Sequence, residues 1–434
     1  MSRFDNIHLG LSHQEALRIL QLPLEVLDSA SDYYMAASHL INFPGDATET
    51  ALLQLIAIDS AQQAIRLAKR KAVEVLGRLG AQQAIPAIGI CLRSNDPYLV
   101  ENSAWALQQL GCTDSSLHEV MVEHLADPLQ NRRVLIQSLA GLKVHSALAA
   151  IETLQNDDNP GVRGAALCAV AVLTGKRDQL LALENHLTLP NQMDRQSAIQ
   201  DVIDAGAVNL LPSVLQAPVS PVFRMRALKA LWPEPAMSLK SLLLTDALDG
   251  LMRDDPKELI LVHRYDVQPD DAFLIQEFFG TDFSRCYLAL QTLSHRSTGD
   301  LWPLLKQRWV AEAFNDYGAH YFFIRLFGSL ELWPEEGLPM ISDWLLEAVD
   351  NQRPQFMKSK AAALLALASL NPQLCEQHLS RWADVEITPW WECRYAAAMV
   401  AKLVRCETNQ PAIYPDDPHP YVQARLQRLR AVNC

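Results

Sequence analysis

Apolar residues in the first half of the chain recur at helical spacing, not at the alternation of a strand. In DPYLVENSAWALQQLG, Val100, Ala104, Leu107 and Leu110 line one face of a helix. Val162, Ala166, Val170 and Leu173 repeat the pattern in NPGVRGAALCAVAVLTG. A polar residue and a proline open each such stretch: Asp96-Pro97, Asp127-Pro128, Asn159-Pro160 and Ser220-Pro221. Proline fits the first turn of a helix and not its interior, so each pair ends one helix and starts the next. Gly80, Gly111, Gly175 and Gly206 close several of these helices, and a further short helix follows, as in AIPAIGICLRS after Gly80.

One polar position can be aligned through six copies of this text: Arg70, Glu101, Arg132, Arg163, Arg195 and Arg226. The intervals are 31, 31, 31, 32 and 31 residues. Two short helices per unit of that length predict an all-α fold, an α-solenoid in which each unit buries its apolar face against its neighbours. The D-P-x-x-V-R-like turn resembles the HEAT family, in which residues at this spacing form a polar ladder along the stack. A basic stripe at Arg132, Arg163 and Arg226 is therefore expected to be structural before it is expected to bind a ligand.

The second half differs. Eight of the nine tryptophans lie after position 217, and the strict period fades while helical stretches such as SKAAALLALASL continue. PDDPHPYVQARLQRLR returns to the Asp-Pro pattern, with Val422 and Arg425, and reads as a capping repeat. The expected organisation is a single continuous HEAT-like solenoid over 1–434. It comprises a helical cap over 1–60, regular repeats over 61–232, divergent aromatic-rich repeats over 233–410 and a capping repeat over 411–434. The prolines Pro233 and Pro235 mark the best candidate for an irregular joint.

Charge and composition narrow the function. Asp and Glu outnumber Lys and Arg, giving a formal charge of -13, which argues against a nucleic-acid partner. The longest apolar runs are about half of the ~18 residues that suggest a membrane span. MSRFDNIHLG carries no apolar signal region, so a cytoplasmic chain is expected. The eight cysteines form no C-x-x-C and are expected to be reduced and mostly buried. No P-loop, G-x-G-x-x-G, H-E-x-x-H or G-x-S-x-G is present, so physics alone favours a binding scaffold with its chemistry in a polar and aromatic cluster.

The densest cluster is Arg308-Trp309, Asn315-Asp316-Tyr317 and His320-Tyr321. On a continuous helix, Asp316 and His320 are one turn apart, as are Tyr317 and Tyr321, so a carboxylate, an imidazole and two phenols would share one side. The structural alternative is that Asn315 or Asp316 caps a helix and the tyrosines pack. A second cluster is His263-Arg264-Tyr265-Asp266, whose alternative is a solvated turn. A third is Trp390-Trp391-Glu392-Cys393-Arg394-Tyr395, whose alternative is packing.

RKAVEVLGRLG and NPGVRGAALCAVAVLTG are similar to the repeat named after phycobilisome bilin lyases. MSRFDNIHLGLSHQEALRILQLP and SDYYMAASHLINFPG are more specific: they resemble the phycoerythrin-type members of the cyanobacterial E/F class of bilin lyases. That resemblance implies phycoerythrobilin, an open-chain tetrapyrrole, as substrate rather than cofactor, and a cysteine of a phycoerythrin α-subunit as acceptor. The thiol would add to the ring A ethylidene and leave a thioether. Some relatives also convert the product to phycourobilin. One isomerase branch carries a His-Cys motif, where this chain has only Asn185-His186-Leu187.

A bilin brings two propionates, a π surface and pyrrole nitrogens, which call for cations, aromatic rings and a carboxylate. On this reading Asp316 is the counter-ion or base and Tyr317 the proton donor. His320, Arg264 or Arg308 hold propionates, Trp309 and Tyr321 stack, and His263 also binds substrate. The alternative is a non-catalytic scaffold or chaperone for phycobiliprotein assembly or breakdown.

Overall fold

A computed structural model describes residues 10–232, 238–239, 242–405 and 416–432. The described residues are helical apart from turns and one pair of two-residue antiparallel strands, Ser238–Leu239 and Leu242–Leu243. No described helix is long and apolar enough to cross a membrane. The chain divides into two compact units, Met1–Leu180 and Leu181–Cys434. This division falls inside the stretch of regular repeats. Pro233 and Pro235 lie outside the described residues.

In the first unit the predicted repeats are visible as helices Gln63–Leu79, Pro97–Gln109, Arg132–Gly141 and Pro160–Thr174. Neighbours in this series pack on one another and, from the second onward, each packs on the short helix that precedes it. The polar-Pro pairs act as caps: Asp96 Oδ1 accepts from the Tyr98 amide at 3.1 Å, and Asn159 Oδ1 from the Gly161 amide at 2.9 Å. Gly175 ends the last of these helices with φ 75°, a left-handed value that a Cβ disfavours.

The expected polar ladder is present here. Arg70 grips Asp96 of the following turn with two bonds, Nε to Oδ2 at 2.9 Å and Nη2 to Oδ1 at 2.8 Å. Arg132 reaches Asp157 at 2.7 Å, and Arg163 donates to the Asp157 carbonyl at 2.6 Å. Each arginine thereby fixes a turn that would otherwise leave polar atoms unpaired between packed repeats.

The second unit uses the same device with deeper burial. Arg195 donates to the Leu189 and Pro190 carbonyls of its own turn and meets Asp282 at 2.5 Å. Arg394 donates to the Thr388 carbonyl at 2.8 Å and grips Asp417 at 2.6 Å, the aspartate of the last Asp-Pro turn. In helix Pro221–Leu231 the ladder residue is Arg224, which is buried against Asp254. Arg226, the residue aligned by period, is exposed and lies over the Phe223 ring with no carboxylate partner among the described residues. The cap explains the shift. Arg163 and Arg195 stand four residues after Asn159 and Asn191, and Arg224 stands four after Ser220, whereas Arg226 stands six after it.

Many aromatic residues of the second half form core. Trp309 stacks on Trp344 with centroids 5.3 Å apart and touches Phe323 and Phe327, while Phe278 stacks on Phe322 at 5.5 Å. Helices Ala319–Ser329 and Met357–Leu370 approach so closely that a Cβ at Gly328 would lie 2.6 Å from that of Ala366. This close pair forms the wall on which the functional site is built.

Candidate functional site

An apolar cavity of about 400 Å³ opens where five helices of the second unit converge: Pro221–Leu231, Leu244–Arg253, Ala319–Ser329, Met357–Leu370 and Trp391–Arg405. Val222, Met225, Leu251, Met252 and Ala361 give it an apolar lining. Tyr321 and four side chains that can carry charge, Arg226, Lys229, Lys358 and Glu392, break that lining. The volume and the few convergent polar groups are those of a small-molecule site.

Lys358 is the chemical centre of the cavity. Its ammonium lies over three rings, 4.7 Å from Phe283, 5.1 Å from Tyr321 and 5.8 Å from Tyr317. It has no hydrogen bond or ion pair to a described residue. Burial brings its pKa down from 10.5 to about 8, against the opposing pull of Cys286, Asp254 and Asp316. It is thus a cation at neutral pH that can give up its proton cheaply. Glu392 faces the same space 3.7 Å from Lys229. Burial raises the Glu392 pKa, an effect that the Lys229 charge only partly opposes.

Tyr321 joins the cavity to a buried network. Its hydroxyl donates to Asp254 Oδ2, which also accepts from Tyr287 at 2.6 Å, while Oδ1 receives Arg224. Burial works to raise the Asp254 pKa, and the Arg224 and Arg325 charges outweigh it, so the carboxylate stays ionised. Burial and that carboxylate together push both tyrosines well above 10, so each remains a neutral donor.

The structure separates the residues expected from sequence to act together. No helix runs through 316–321. A short turn, Ala313–Asn315, ends before Asp316, and the next helix begins at Ala319. The expected one-turn pairings of Asp316 with His320 and of Tyr317 with Tyr321 are therefore corrected. Asp316 Oδ1 accepts from the Gly318 and Ala319 amides at 2.9 and 2.8 Å, which is the capping alternative. Tyr317 is 62% exposed, whereas Tyr321 is buried. Both nevertheless face Lys358, so part of the cluster meets around a residue outside it.

The remaining candidates lie in other settings. His320 is buried, bonded to Ser359 at 3.0 Å and packed on Trp309 and Phe356. Burial drives its pKa down to about 3, so it carries no charge with which to hold a propionate at neutral pH. Trp309 is core. Arg308 pairs with Glu312 at 2.9 Å and Gln276 at 2.7 Å. His263 joins the Arg195–Asp282 latch at 3.1 Å from Asp282. Arg264 is exposed 3.5 Å from Asp266, as in a solvated turn.

Sequence reasoning missed Lys358, Asp254 and Arg226 as neighbours of the site. MKSKAAALL reads as an ordinary alanine-rich helix, and LMRDDPKEL as a turn. The cap-based count of four residues was the one available signal, and it releases Arg226 from the ladder.

No family model matches the chain. It is 46% identical over 371 residues to the bilin biosynthesis protein CpeY of Synechococcus sp. strain WH8020, covering 85% of this chain and 88% of the relative. It is 34% identical over 411 residues to the uncharacterized phycocyanin operon protein Y of Pseudanabaena tenuis, covering 94% and 96%. A shorter match of 180 residues at 34% identity, covering 37% of this chain and 62% of the relative, is to the phycocyanobilin lyase subunit alpha of Thermosynechococcus vestitus. Among solved structures, the complex of CpcE and CpcF of phycocyanin lyase from Nostoc sp. PCC7120 aligns with a TM-score of 0.48 at 21% identity, over 58% of this chain and 99% of that one. With two relatives matched along most of their length, the chain belongs to the phycoerythrin-type E/F class of phycobilin lyases.

Proposed function

We propose that the chain attaches phycoerythrobilin through a thioether to a cysteine of a phycoerythrin α-subunit, and isomerises it to phycourobilin in the same cavity. The observation that carries this reading is Lys358, a cation with no hydrogen-bond or ion-pair partner among the described residues, set among aromatic rings in an apolar cavity that also presents Arg226, Lys229 and Glu392. The tetrapyrrole would lie along the apolar lining, with its propionates on Arg226 and Lys229. Tyr321 and Tyr317 would flank ring A beside Lys358, and Asp316 would act through its field on Lys358.

Attachment adds S–H across the ethylidene double bond. The acceptor thiolate forms the C–S bond, the π pair moves into the ring, and a proton is delivered to carbon. No further reactant is needed. Lys358, with a pKa of about 8, can supply that proton and recover one from the incoming thiol. Isomerisation moves the double bond from the ring A–B bridge into ring A: protons leave ring A carbons, and an equal number return to the carbons of the former double bond. Glu392, whose carboxyl is pushed up by burial, is the assigned acid–base group for that step.

Co-expression with a bilin pathway and an apo-α-subunit tests the reading. Covalent colour on the subunit in a denaturing gel is expected, with an absorption maximum that reports phycourobilin. Bound but non-covalent colour would replace this reading with that of a scaffold or chaperone.

A further inference from the structure

Two helices that wall the first cavity also wall a second one. Tyr321 faces the first cavity, and Ile324, Arg325 and Gly328, one to two turns on, face the second. Lys358 and Ala361 face the first, and Leu365 and Ala366 the second. The second cavity is larger, about 820 Å³, and lies wholly within the second unit. Its lining is mixed, with an apolar floor of Leu290, Ile324, Leu365 and Val400 and polar groups that include Gln291 and His295.

Three cations stand around that floor: Arg253, Lys257 and Arg325. None has a carboxylate partner among the described residues. Arg325 donates only to the Asp254 carbonyl, at 3.2 Å, and its Nε is buried without a partner. Arg253 and Lys257 are exposed at the rim. Two carboxylates also face the space, Asp255 and Glu258; Asp255 Oδ1 is taken by the Lys257 amide at 2.9 Å. A small inorganic anion would use the cations and leave the apolar floor and most of the volume unfilled. A long apolar ligand with carboxylates at its edge and N–H donors along it would use the floor, the cations and the acidic rim together.

We propose that this second cavity binds a free open-chain tetrapyrrole, in addition to the one assigned to the Lys358 cavity; the assignment of ligand class rests on the function proposed above. The buried Asp254 lies between the two sites, bonded through its carboxylate to Tyr321 and through its carbonyl to Arg325.

Equilibrium dialysis of the full chain against phycoerythrobilin, without acceptor subunit, tests this. Two equivalents are expected to bind. An Arg253→Glu/Lys257→Glu variant, altered only at exposed positions, should weaken one equivalent by roughly 10- to 100-fold and leave the other unchanged. An Arg226→Glu/Lys358→Met variant should do the converse. One equivalent that is lost only in Arg226→Glu/Lys358→Met would overturn the second site and leave the first standing. One equivalent lost only in Arg253→Glu/Lys257→Glu would support the second site and overturn the first. Two equivalents that the Arg253→Glu/Lys257→Glu change does not move would also overturn the proposal.

Discussion

Tyr321 donates its hydroxyl to the carboxylate of Asp254, while Arg325, one turn further along the same helix, donates to the carbonyl of that same aspartate. Asp254 caps helix Leu244–Arg253 in the left-handed region, with φ 47°. One buried residue therefore ends one helix, latches a second and neutralises Arg224 from a third. The cavity walls that depend on these helices are positioned through it.

Replacing this carboxylate tests how much the latch supports. Asp254→Asn keeps the size, and asparagine tolerates the left-handed backbone. The change leaves Arg224 buried beside two tyrosines without its counter-ion. A loss of about 3–5 kcal/mol in urea unfolding is expected, the usual scale for breaking one side of a buried ion pair. Adding Arg224→Met should restore much of it. A loss below about 1 kcal/mol in the single variant would mean that the network is not what holds these helices.

Lys358 gives a pH signature. Its folded pKa of about 8 lies below its ordinary value of 10.5, so the folded chain binds fewer protons than the unfolded chain between those values. Stability should therefore rise as pH increases through that window, and Lys358→Met should remove the rise. Binding runs the other way: above pH 8 the cation is discharged, so affinity for a dicarboxylate bilin should fall in the parent and stay flat in the variant. Asp316→Asn preserves the cap, because an amide oxygen still accepts, but removes a charge that helps hold Lys358 protonated. Its binding profile should shift toward lower pH. Profiles that overlay in all three proteins would exclude Lys358 from the site.

The repeats were legible because each repeats the same local solution: a polar-Pro start, an apolar stripe and a glycine stop. Arg163 likewise declares its role through spacing from its own turn, and Arg132 through the 31-residue period. The site was not legible in that way. Lys358 differs from a surface lysine only because helices distant in sequence close around it, and no local pattern encodes that. The 316–321 cluster misled for a local reason, since a turn ending at Asn315 breaks the helical register that the spacing assumed. Arg226 shows the intermediate case, where period and cap disagree by two residues and the cap decides.

The thiols should be spectators. The six described cysteines, Cys91, Cys112, Cys168, Cys286, Cys375 and Cys393, are buried. Burial drives Cys286, Cys375 and Cys393 up to about 12, so almost none of each is thiolate at neutral pH. Cys406 and Cys434 lie outside the described residues. Slow reaction of the six with a thiol reagent is expected in the native state. Single Cys→Ser variants should still transfer bilin. Colour that stays on the chain after denaturation and vanishes in one such variant would identify a covalent carrier.

Replacing Glu392 tests whether the proposed attachment and isomerisation can be separated. Glu392 faces the cavity from the start of helix Trp391–Arg405, and its ion pair with Lys229 is loose at 3.7 Å. Burial holds its carboxyl above the ordinary pKa, and a carboxyl can both take and return a proton, which a bond shift across the ring A–B bridge requires. On the proposed function, attachment needs a thiolate and one delivered proton, which Lys358 would supply. Glu392→Gln keeps the shape and removes the acid–base function. The variant should therefore still make the thioether at a comparable rate while phycourobilin formation drops by roughly 10²-fold or more, the usual scale for an acid–base group. The subunit would then carry the spectrum of bound phycoerythrobilin. If attachment and isomerisation fall together, Glu392 serves binding instead. If the wild-type product appears at the wild-type rate, the proton shift runs through Lys358 or Tyr317, and Lys358→Arg and Tyr317→Phe become the variants that decide.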